Sequence, residues 1–147
     1  MKNRLAAGAF AGIVAGAVMA MAMMAYMYLT GQSVWTNPDL IAAMWMGNAV
    51  ANGSFSTATL VGFLTHEATS AMMGIIAVPF IRNLSFGRTV LIAVAYALAS
   101  YPFVFAFILT WANPLMVERS ELVTMTAAHI LFGLVMGAAY AGVRAKK

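Results

Sequence analysis

Glu121-Leu-Val-Thr-Met-Thr-Ala-Ala-His129-Ile-Leu-Phe-Gly133-Leu-Val-Met-Gly137-Ala-Ala-Tyr-Ala-Gly-Val143 is the stretch whose reading decides the fold. After Glu121 it carries no charge until Arg144. As a helix rising 1.5 Å per residue it is about 35 Å long, enough to cross a ~30 Å hydrocarbon core. Three further runs have the same character: Leu5–Thr30, Thr57–Ile81 and Thr89–Trp111. None holds Lys or Arg in its interior, and Glu67 is the one acid deep inside any of them.

Composition agrees. Of the 147 residues 63% are hydrophobic and 8% charged, against about 25% charged in soluble domains. Residues 1–147 therefore read as a single integral membrane domain, an all-α four-helix transmembrane bundle in contact with the lipid bilayer. The net charge of +4 does not argue for nucleic acid, because the basic residues sit at the ends of the apolar runs. The absence of cysteine excludes disulfides and thiolate metal sites.

Lys2 and Arg4 ahead of an apolar run also fit a secretory leader, but Leu5–Thr30 is too long for a leader's apolar region. It reads as a retained span. Lys2, Arg4, Arg82, Arg88, Arg144, Lys146 and Lys147 fall on one side of the layer, seven of the eight basic residues, with Arg119 alone opposite. The positive-inside rule then puts both termini in the cytoplasm. Trp35, Trp45 and Trp111 fall on the outer side, as half of an aromatic belt.

The first span opens with Gly8-x-x-x-Gly12-x-x-x-Gly16, a stripe that lets another helix approach closely. Its later half holds Met19, Met21, Met23, Met24 and Met27. Thioethers bind Cu(I), but these five spread around the helix and read as flexible apolar fill. In the outer loop Gly31–Ser56, Asn37-Pro38-Asp39 suggests a helix start with an acid in the first turn. Residues 40–46 suit a short helix, either resting at the interface or serving as a lid over something between the spans. Pro102 is expected to kink the third span. Ser120 is expected to cap the fourth.

An echo of the opening stretch lies upstream, His66-Glu-Ala-Thr-Ser70-Ala-Met-Met73-Gly74. In both copies Met follows His by seven residues and Gly by eight. Each half of the chain is a span, an outer loop and a His-bearing span, which predicts two parallel two-helix repeats. Both imidazoles are predicted roughly 12–14 Å below the outer ends of their helices. Residues four apart nearly align on a helix. One column is Gly62, His66, Ser70 and Gly74, and the other His129, Gly133, Gly137 and Ala141. Each histidine heads small residues suited to close packing, so both are predicted to point into the bundle.

Three readings of the pair follow. His66 and His129 could simply hydrogen-bond across helices. They could be axial ligands of a haem b, since two histidines at equal depth with small residues between suit a porphyrin. With Glu67 they could form a proton, quinone or metal site, an intramembrane acid being a functional candidate by default. No ligand spacing for a metal other than haem iron is visible.

Ala128-His129-Ile-Leu-Phe-Gly133-Leu-Val-Met-Gly137-Ala-Ala-Tyr140 resembles the closing motif of an uncharacterised family of small four-span bacterial and archaeal membrane proteins. Gly8–Met24 looks like that family's Gly/Ala/Met-rich first span, and Asp39–Gly47 with the His66 segment like its outer loop and second span. Phe132 stands where the family usually has tyrosine. The resemblance implies a four-span protein of the cytoplasmic membrane and no particular chemistry.

No nucleophile–base set or phosphate loop is present, so a lone catalyst is not expected. The leading expectation is an accessory subunit of a larger membrane complex, respiratory or oxidoreductive, packing on other membrane subunits through its glycine faces and outer loop. The alternatives are a haem b electron carrier on His66 and His129, and a small proton or ion transporter using Glu67.

Overall fold

The computed structural model describes residues 2–145. Among them are only helices and turns: α1 (Lys2–Leu29), α2 (Thr36–Met46), a 3-10 turn (Asn48–Val50), α3 (Thr57–Ile81), α4 (Phe86–Phe103), a π-helical turn (Val104–Leu109), α5 (Thr110–Ala112), α6 (Pro114–Arg119) and α7 (Leu122–Ala145). α4, the π turn and α5 run on as one rod, so four helices are long and apolar enough to cross a membrane. The protein is an all-α four-helix bundle of multi-pass membrane type.

Local chemistry sets the helix ends. Gly31 has φ +75, and its N–H reaches Tyr28 O while that of Gln32 reaches Met27 O. This pair of bonds with a left-handed glycine closes α1. Ser56 opens α3 with a reciprocal capping box, its hydroxyl accepting from Ala58 N and its own N–H donating to Thr59 Oγ1. At α7, Glu121 rather than Ser120 holds the capping position, since Met125 N donates to Glu121 O. α2 also begins earlier than its Asn-Pro-Asp start suggests, at Thr36, and no side chain caps it. After Pro102, which has no N–H to give, the helix widens into the π turn, and Thr110 Oγ1 bonds back to Phe105 O at 2.9 Å.

α1 and α7 form the central pair, with α3 on the far side of α1 and α4 on the far side of α7. α1 has two faces one residue out of step. Gly8, Gly12 and Gly16 meet α3, where a Cβ on Gly12 would overlap Ser70 O and one on Gly8 would stand 2.5 Å from Val78 Cγ2. Ala7, Ala11 and Ala15 belong to the core that takes Phe132, Met136 and Tyr140 of α7. Small residues on one helix thus accommodate large ones on the other. On the other side of α7, Gly133 and Gly137 lie against Val94 and Val90 of α4, where added Cβ atoms would sit 2.5 and 2.7 Å from the Cα atoms.

The two halves pair their spans alike, α1 with α3 and α4 with α7. Contact between the halves is uneven, because α1 packs extensively on α7 while α3 and α4 touch little. At one end Arg4 donates to Asn83 Oδ1 at 3.2 Å and Arg144 to Arg82 O at 2.7 Å. The N-terminal helix start, the α3–α4 turn and the end of α7 therefore meet at this basic end. Lys146 and Lys147, assigned to the same end, lie outside the described residues. The opposite, loop end carries α2, α5 and α6.

Candidate functional site

Beneath α2, at the loop end, lies a cavity of about 60 Å³. α1 contributes Met19, Ala20, Met23 and Met24, α2 contributes Asn37, Pro38 and Ile41, and α3 contributes Gly62, Phe63 and His66. Met116 of α6 and Met125 of α7 close it. α2 therefore forms part of the wall of a space held between the spans.

α2 is seated by polar groups of three other segments. Asp39 is fully buried; Oδ1 accepts from Thr59 Oγ1 at 2.7 Å and Oδ2 from Gly53 N at 3.1 Å. Asn113, also buried, donates through Nδ2 to Leu40 O at 2.7 Å and accepts from Met116 N at 3.1 Å, which caps α6. Trp45 Nε1 donates to Thr65 Oγ1 at 3.0 Å. Pro38 O lies so close to Gly62 that any side chain there would collide with it. Gly62 is thus the point where α2 meets α3. Asn113 drew no notice in the sequence, where it reads as one more loop residue before a proline; Asn-Pro ahead of a short helix was the available signal.

His66 faces α1. Its Nε2 lies 3.1 Å from Gly16 O. A carbonyl only accepts, so Nε2 carries the hydrogen and Nδ1 keeps the free lone pair. His129 is bonded within its own helix, Nδ1 to Met125 O at 2.7 Å, and its ring packs on Tyr101 of α4 with centroids 4.6 Å apart. No hydrogen bond joins the two histidines among the described residues. Met23, Met125 and Tyr101 pack together with Met19 in this region.

Glu67 takes a different direction. Its Oε2 stands 3.1 Å from the place a Cβ on Gly16 would take, at the edge of the α1–α3 seam. That oxygen is buried and makes no hydrogen bond among the described residues. Glu67 is not part of the cavity lining. Asn37 Nδ2 and Tyr140 Oη are likewise buried without a partner among the described residues. Among the described residues no three His, Cys, Asp or Glu side chains converge to hold a metal.

The cavity measures about 60 Å³, His66 Nε2 is held by Gly16 O, and His129 lies on the α4 side against Tyr101. Compared with protein-family models, characterised proteins and solved structures, the chain matches none.

Proposed function

We propose that the protein is an accessory subunit of a larger membrane assembly, oriented with its basic end in the cytoplasm, and that it docks a partner's span along the α1–α3 edge at Glu67. The observation behind this reading is Glu67 itself, a half-buried acid within a span whose Oε2 makes no hydrogen bond among the described residues. An unsatisfied polar group in hydrocarbon costs on the order of a few kcal/mol. Intramembrane acids therefore pair with other polar groups. Among the described residues Oε2 makes no hydrogen bond, and a hydroxyl, amide or basic side chain on a neighbouring span would supply one. The glycine faces are less suited to docking, because Gly8, Gly12, Gly16, Gly133 and Gly137 are already in contact with helices of the same chain.

The transport alternative draws less support, since Glu67 stands at an edge and not in the cavity.

The test is a comparison of native masses after extraction in mild detergent. Wild type and Glu67→Gln, which keeps hydrogen-bonding capacity, are expected to migrate with a second polypeptide. Glu67→Leu is expected to release it. Recovery of all three as the lone chain or as a homo-oligomer contradicts the reading.

A further inference from the structure

Five of the chain's 13 methionines line one small cavity. They come from three separate helices, at positions 19, 23, 24, 116 and 125, so folding gathers them. Met19 and Met23 are four residues apart and share a face of α1. Met23 and Met125 are buried and pack in one cluster with Met19. His66 is the imidazole in the same lining.

We infer that this cavity is a Cu(I) site, with the thioethers of Met19, Met23 and Met125 and the Nδ1 of His66 as its ligands. Four features fit that ion. Thioether sulfur selects soft cations such as Cu(I). Histidines that bind metals characteristically donate the other ring N–H to a carbonyl or carboxylate, which fixes the tautomer and aims the free nitrogen. The bond from His66 Nε2 to Gly16 O fixes the tautomer and leaves the lone pair on Nδ1. No carboxylate lines the cavity, which disfavours Ca²⁺ and Mg²⁺ with their demand for oxygen ligands. The cavity, about 60 Å³, has room for a single ion. Met24 and Met116 add further sulfur to the wall, and α2 covers it through Pro38 and Ile41. The inference is independent of the docking role given to Glu67, which faces elsewhere.

The experiment uses the full chain purified in detergent and titrated anaerobically with Cu(I) against a chromophoric Cu(I) chelator, with Ag(I) as a redox-inert probe. One equivalent per chain is expected. The triple variant Met19→Leu, Met23→Leu, Met125→Leu conserves core volume and is expected to weaken binding beyond the roughly 10–100-fold that outer-shell changes cost. His66→Ala is expected to weaken it as well. Met21→Leu and Met72→Leu, both exposed, are expected to bind as wild type. X-ray absorption of the Cu(I)-loaded wild type is expected to show sulfur scatterers with one light atom, a readout that needs no variant to fold. Wild type that takes up no Cu(I), a helical triple variant that binds like wild type, or a shell of nitrogen and oxygen alone would overturn the assignment.

Discussion

His66 donates its Nε2 hydrogen to the backbone carbonyl of Gly16, 3.1 Å away across the α1–α3 seam. The bond is possible because Gly16 has no side chain and the two backbones run close together. It ties the chemistry of the histidine to the glycine stripe. The residue that lets the helices approach is also the one whose carbonyl selects the imidazole tautomer.

That closeness can be measured. Gly12→Ala would drive a Cβ into Ser70 O, and neither backbone can move without opening the seam. A loss of roughly 1–3 kcal/mol is expected, as for other overpacked sites, read as a lower unfolding temperature in detergent. Gly142→Ala, which meets nothing within 4 Å, is expected to leave it unchanged.

The seat of α2 rests on Asp39 and Asn113. Asp39→Ala leaves the Thr59 hydroxyl and the Gly53 N–H without their acceptor. Each orphaned buried group costs about 1–3 kcal/mol. Asn113→Ala similarly removes the link to Leu40 O. Both variants are expected to open residues 31–56 to proteases and to speed amide exchange in α2, while the spans stay protected.

Tyr140 offers the opposite case. Its ring is fully buried in the core and its hydroxyl has no partner among the described residues. Tyr140→Phe removes a desolvated hydroxyl that makes no bond, so stability is expected to hold or rise by about 1 kcal/mol. A clear fall in unfolding temperature would contradict the packing described for α1 and α7.

Orientation is open to direct labelling because the chain has no cysteine of its own. Asn83→Cys at the basic end is expected to react with an impermeant thiol reagent only from the cytoplasmic side. Asn48→Cys in the outer loop is expected to react only from the opposite side. The reverse pattern would contradict the orientation drawn from the basic residues.

The spans were legible because hydropathy needs no knowledge of neighbours. Thr57–Ile81 is read to the residue, and the other three differ from the helices at their ends by a few positions. The small-residue columns were legible too, because residues four apart align on any helix. Their destinations were not. The column headed by His66 meets α1 and the one headed by His129 meets α4, a choice made by packing between helices. Met116 and Met125 could not be joined to Met19 and Met23 on paper, since nothing local relates positions a hundred residues apart. The seat of α2 on Asn113 and Thr59 is likewise a long-range outcome. The π turn after Pro102 refines the expected kink; a proline announces a disturbed ladder without saying how the ladder recovers.

The most direct test of the account is photo-crosslinking in the native membrane from a probe at Ala68, an exposed residue next to Glu67. The account expects an adduct with a second polypeptide, weakened in Glu67→Leu and kept in Glu67→Gln, while a probe at Leu91 on α4 gives none. Adducts only with lipid or with a second copy of this chain, or an adduct indifferent to Glu67→Leu, would contradict it.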